Sequence, residues 1–189
     1  MLTCRRTNAK GQFLNAKIAG MDQDLSAFRP TRIWKRIGPE RRMTAAEVFW
    51  SDEQSTDQQI EAVAAISSHM KFRAKSVVAL PLERKAKYLA TLPTVSDSIV
   101  ARALVSYHLE HQRPMMAAFL DALGIAHEDG LINDEEVPAP DGEKVQAAAA
   151  ELASKFPPED VSLYFSTLVS QDPETWKALV DSPHTLSSQ

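Results

Sequence analysis

The stretch SDSIVARALVSYHLEHQ, residues 96–112, reads as a helix that is apolar around most of its circumference. Ile99, Val100, Ala103, Leu104 and Tyr107 recur at helical spacing, and Val105 and Leu109 widen the stripe. The polar face is narrow: Ser98, Arg102, Ser106, Glu110 and, just beyond, Arg113. Ser96 stands where an N-cap hydroxyl accepts a backbone N–H. A helix with so little polar surface is packed on several sides. It is predicted to be the hub of an all-α fold, a compact bundle of about seven to nine short helices around a central buried helix near 97–112.

Upstream, residues 30–37 form a short basic stretch, and Pro39 opens a helix to about residue 51 through Met43, Ala46, Val48, Phe49 and Trp50. Thr56 is read as the cap of a third helix, with Ile60, Val63, Ala64, Ile66 and Met70 at helical spacing. A short helix over 73–79 stops at Pro81, which opens another with Leu82, Ala86, Leu89 and Leu92 on one face. Downstream, Pro114 starts a helix carrying Met115, Ala118, Phe119 and Leu123, ended by Gly124. Residues 143–155, 158–169 and 173–181 read as three more. No period-2 apolar runs joined by turns appear, so a sheet is not expected.

This spacing divides the chain into a disordered N-terminal segment 1–28, a main helical domain 29–124, an acidic linker 125–142 and C-terminal helices 143–182. A fraying tail, 183–189, follows. The C-terminal group is too small to hold a core alone, so it is expected to dock on the main domain. Met21 reads equally well as an alternative start. LPLERKAKYLATL from Leu80 parallels FPPEDVSLYFSTL from Phe156, a match that two generic Pro-initiated amphipathic helices would also produce.

Charge divides the chain more sharply than hydropathy. Residues 1–113 hold eighteen of the twenty-one Lys and Arg against eleven acids, while residues 114–189 hold three against fourteen. The net charge of −4 conceals this. Opposed halves either face each other or meet different partners. The single cysteine, Cys4, excludes an intramolecular disulfide and favours a reducing compartment. No apolar run has membrane-spanning length, and the first twenty residues lack the apolar core of a secretory signal. A cytoplasmic location is expected, with no membrane partner.

Candidate contact residues come from the basic front, FRPTRIWKRIGPERR, where Arg29, Arg32, Lys35, Arg36, Arg41 and Arg42 surround Phe28 and Trp34. Lys71, Arg73, Lys75, Arg84, Lys85 and Lys87 form a second group. Trp with Arg is the composition of protein-interface anchors; cations with aromatics also suit nucleic acid. Leu92-Pro93-Thr94-Val95-Ser96, between a basic helix and the hub, resembles the helix-hairpin-helix element over residues 83–107. That family holds a DNA phosphate with the backbone N–H groups of a glycine-bearing hairpin, and here Thr94 and Ser96 stand at the glycines. A plain cap by Ser96 or Thr94 is the competing and preferred reading.

His108 and His111, with His127 in the acidic loop, are the only candidate metal ligands, and His108 falls on the apolar stripe, where a satisfied core histidine is the usual outcome. No metal or cofactor is assigned. Cys4 lies in the expected disordered segment, no serine sits in Gly-x-Ser-x-Gly, and no Gly-rich phosphate loop exists. No catalytic residue is assigned. The expected function is a non-enzymatic interaction module, presenting Arg29, Arg32, Trp34 and Arg36 to one protein partner and the loop 135–141 to another, with self-association as one form of this. The alternative is a nucleic-acid-binding module using the basic front, Lys85, Lys87 and the turn at 92–96.

Overall fold

The computed structural model describes residues 25–132 and 139–186. Cys4, Met21 and most of the loop 135–141 lie outside the described residues. The described chain is a compact all-α fold of ten α-helices, and its only β-type pairing is an isolated bridge between Glu128 and Leu131. The helices are α1 (Pro30–Arg36), α2 (Pro39–Ser51), α3 (Thr56–Met70), α4 (Ala74–Val78) and α5 (Leu82–Thr91), then α6 (Asp97–His111), α7 (Arg113–Leu123), α8 (Gly142–Lys155), α9 (Pro158–Gln171) and α10 (Lys177–Val180).

Local chemistry sets most boundaries. Proline enters the first turn of α1, α2, α7 and α9, where its missing N–H costs nothing. Ser96 Oγ accepts from Ile99 N–H at the start of α6, and Asp141 accepts from Glu143 and Lys144 N–H at the start of α8. Thr56 does not cap α3. Its hydroxyl donates back to the Glu53 carbonyl, and a 3-10 turn over Glu53–Ser55, capped by Asp52, leads into the helix. Gly124 ends α7 at φ +70. At Gly130 (φ +82) a Cβ would lie 2.9 Å from Met116 Cβ and 3.1 Å from the Arg113 carbonyl, so the turn after α7 presses its backbone on that helix.

The apolar side chains form two clusters. One gathers around α6, with Phe49 and Ala46 of α2, Ile66 of α3, Leu89 of α5 and Ile33 of α1. The other joins Phe119 and Leu120 of α7 to Val145 and Leu152 of α8, Phe165 of α9 and Leu179 of α10. Helix α6 packs against α1, α2, α3, α7 and α9 and buries seven of its fifteen residues, as a hub should.

A second helix is buried more completely. In α9 all of residues 161–167 are inaccessible, with Leu163 in the first cluster and Val161, Tyr164 and Phe165 in the second. The α6–α9 pair is therefore the axis of the molecule. Ser162 and Thr167 tolerate this because each donates back to a carbonyl of its own helix, Glu159 and Leu163, and Ser166 Oγ accepts from Leu186 N–H.

Both ends of the described chain are more ordered than their composition predicts. Leu25–Phe28, inside the segment expected to be disordered, forms a 3-10 turn that buries Phe28 in the second cluster. The expected fraying tail is pinned through residue 186: Thr185 is fully buried and Arg36 Nη1 donates to the Leu186 carbonyl at 2.5 Å. Burying an aromatic side chain contributes about 1.5–3 kcal/mol, enough to hold a short flanking segment that lacks periodicity.

Candidate functional site

The basic front is only partly available. Arg29 pairs with Asp97 at 2.9 Å across α1 and α6. Arg41 joins the halves of the chain, reaching Glu159 at 3.2 Å and Asp160 at 2.8 Å in the first turn of α9. Burial opposes the Arg41 charge, but contacts with Tyr107, Asp160 and Glu159 more than offset it, and its pKa is raised. Trp34 is 4% exposed, its ring packed in the first cluster, so it is not the exposed anchor expected from its position among arginines. Arg32 and Lys35 are exposed with no carboxylate partner among the described residues, and Arg42 is half-buried with none.

The second basic group keeps its charge free. Lys71, Arg73, Lys75, Arg84 and Lys87 have no ion pair with any described residue. Lys85 lies over the Trp50 ring, 5.0 Å from its centroid. Exposed apolar side chains occur in the same stretch of the chain. Four of the six large apolar side chains left exposed among the described residues, Ile60, Phe72, Val78 and Leu82, fall on α3, α5 and the segment between them. Ile60 and Val78, 66% and 61% exposed, line a groove of about 170 Å³ with Val63 and Lys85, and Trp50 at its wall. Trp50 Nε1–H is buried without an acceptor.

The local sequence explains this exposure. Ala62 and Ile66 are the residues α3 buries, and Ile60 lies roughly 200° around the helix from Ala62, so it cannot share that face. Lys71 takes the left-handed conformation (φ 58) at the end of α3, and Phe72 N–H bonds to the Ser67 carbonyl, which turns the chain into α4. Helical period put Ile60 and Leu82 on the apolar stripes of their helices, the faces that usually meet a core. Both are corrected to the surface.

A cavity of about 580 Å³ opens between α2 and α6. Its floor is a polar knot in which Asp52 accepts from Arg102 Nη2 at 2.7 Å, Ser106 Oγ at 2.6 Å and Ser55 Oγ at 2.8 Å. Burial alone would raise the Asp52 carboxyl, but the bonds from Ser106, Ser55, Gln54 N–H and Arg102 win and lower its pKa to about 2. Asp52 is thus a fixed anion joining α2 to the narrow polar stripe of α6.

The three candidate metal ligands are separated by their partners. His108 is buried; its Nε2 is 3.1 Å from Thr167 Oγ1, and its ring meets Tyr164 edge-on. Since Thr167 spends its own hydrogen on the Leu163 carbonyl, His108 donates from Nε2, and its Nδ1 is left without a partner. Burial, with the nearby Arg41 charge, lowers the His108 pKa to about 3. His111 is exposed and tilts against Tyr107, while His127 sits between Asp121 and Gly130 N–H. No group of three metal-ligating side chains forms among the described residues.

The turn at 92–96 does not reproduce the hairpin it resembles. Neither Thr94 nor Ser96 takes positive φ, and Ser96 is spent capping α6. Close phosphate approach in the helix-hairpin-helix element depends on that backbone freedom. The plain cap is what is observed at Ser96. No helix among the described residues is long and apolar enough to cross a membrane.

No protein-family model matches the sequence, and no curated protein and no solved structure matches it either.

Proposed function

We propose that this chain is a non-enzymatic protein-interaction module whose docking face is the groove between α3 and α5. Its occupant is an amphipathic segment with apolar residues at helical spacing and acidic residues on its flanks. The observation that carries this is the pairing of two largely exposed aliphatic side chains, Ile60 and Val78, with Lys85, a cation in the same groove that has no carboxylate partner among the described residues. Apolar anchors in a groove supply affinity, and complementary flanking charge supplies orientation and encounter rate.

The test is fluorescence anisotropy with a synthetic peptide bearing Leu at helical spacing and Glu on its flanks. Saturable binding is expected, weakening as salt rises. Ile60→Asp and Val78→Asp should each reduce affinity about tenfold or more, with melting temperature unchanged because both side chains are solvent-facing. Three results would overturn the reading: no binding, binding insensitive to both substitutions, or a competing occupant. The competing occupant would be a second copy if the same substitutions abolish concentration-dependent dimerisation. It would be nucleic acid if oligonucleotides bind with affinity falling by orders of magnitude between about 50 and 200 mM salt.

A further inference from the structure

The segment Thr31-Arg32-Ile33-Trp34-Lys35-Arg36 puts an indole and an ammonium side by side on α1, and Arg42 follows one turn into α2. Folding brings Trp34, Lys35 and Arg42 to the wall of a cavity of about 320 Å³, closed opposite by Pro93, Thr94 and Val95 of the turn between α5 and α6. Two of these side chains hold buried N–H groups with no acceptor among the described residues, Trp34 Nε1 and Arg42 Nε. The Arg42 guanidinium makes no ion pair with any described residue. No Asp or Glu among the described residues lines the cavity. The carboxylate bonded to Thr31, that of Asp97, is already paired with Arg29.

This donor set is one-sided. Two cations and an indole line one cavity, and neither Trp34 Nε1 nor Arg42 Nε has an acceptor among the described residues, whereas buried donors are otherwise nearly always matched. Arginine offers a planar fork suited to oxyanions, and lysine a mobile point charge at the mouth. A local charge of +2 matches a phosphate monoester, which carries about −1.5 to −2 at neutral pH, better than a carboxylate or a phosphodiester. We propose that this cavity is a binding site for the dianionic phosphate group of a small phosphorylated ligand, with Arg42 and Trp34 Nε1 donating inside and Lys35 closing the mouth. It is separate from the α3–α5 groove, and neither proposal depends on the other.

The experiment is an NMR titration of the full chain with inorganic phosphate, sulfate and acetate at low salt, following the Trp34 indole N–H signal, assigned from its loss in Trp34→Phe. Phosphate and sulfate are expected to move that signal downfield and saturably, with acetate about tenfold weaker or more. Lys35→Gln, a change at an exposed side chain, should weaken phosphate binding about fivefold, and Arg42→Gln about tenfold or more. Arg73→Gln, outside the cavity, should leave it unchanged. The site is refuted if the shift stays linear in phosphate, if acetate binds as well as phosphate, or if Lys35→Gln has no effect. It is equally refuted if an oligonucleotide lacking terminal phosphates moves the signal and inorganic phosphate does not, since the ligand would then be a phosphodiester backbone.

Discussion

In α5 and α9 the same opening, Pro81-Leu82-Glu83 and Pro157-Pro158-Glu159, starts two helices that end in opposite environments. Both begin after a proline cap at φ −55. Both carry a Tyr and a Thr at the same offsets, and each Thr donates back one turn, Thr91 to the Lys87 carbonyl at 2.7 Å and Thr167 to that of Leu163 at 2.8 Å. Yet α5 buries only Ala86, Leu89 and Ala90, whereas α9 buries every residue from 161 to 167. The helices diverge where Lys85 and Lys87 of α5 correspond to Val161 and Leu163 of α9. A shared start signal therefore specifies a helix and says nothing about its place. Two side chains in the second turn decide whether the helix faces water or forms the axis.

The largest expected effect comes from exchanging those side chains. Leu163→Lys puts an unpaired ammonium at a fully buried position and should cost about as much as the whole stability of a domain this size, 5 kcal/mol or more. Leu163→Ala, which folds more readily, should cost about 2–5 kcal/mol in urea denaturation. The converse change in α5, Lys87→Leu, should stay within about 0.5 kcal/mol of the parent. Equal costs in the two helices would mean that α9 is not central.

A smaller effect follows from what α9 covers. It closes over His108, whose pKa falls to about 3 through burial and the Arg41 charge, whereas Tyr88 of α5 stays half-buried against Phe72. An unfolded histidine titrates near 6.5, so between 6.5 and 3 the unfolded chain binds more protons than the folded one. Stability should fall as pH drops through that window, by about 2 kcal/mol between pH 7 and pH 5. His108→Leu should remove this loss, seen as coincident denaturation midpoints at the two pH values. Asp52 acts in a lower window: its pKa is depressed from 3.8 to about 2, so its contribution is intact above 3.8 and is lost only as pH falls below it.

The hub was legible because α6 states its role in composition: apolar residues at nearly every angle and a Ser cap that the structure uses. Helix α9 was not read as buried, since Ser162, Ser166 and Thr167 look like a polar face until their hydrogen bonds are known. The surface was harder still. Arginines of equal appearance in the sequence have different fates: Arg41 is clamped by two carboxylates from the other end of the chain, and Arg42, its neighbour, has none among the described residues. Those pairings join residues more than a hundred positions apart, and no local pattern encodes them. Ile60 shows the converse error, because helical spacing identifies a stripe without saying which stripe meets a neighbour.

The finest distinction between the two helices lies in their matched threonines. Thr91 is exposed and its hydroxyl serves only its own helix, so Thr91→Val should change stability by less than about 0.5 kcal/mol. Thr167 donates to Leu163 in the same way but also accepts from His108 Nε2–H. Thr167→Val removes that acceptor in a buried site and strands the imidazole donor, at a cost of about 1–3 kcal/mol. The cost should depend on the histidine. With His108→Leu already in place no donor remains to be stranded, so Thr167→Val should cost less there, and a double-mutant cycle should return a coupling of about 0.5–3 kcal/mol. A coupling near zero would show that the His108–Thr167 bond contributes nothing, and α9 would then differ from α5 in apolar burial alone.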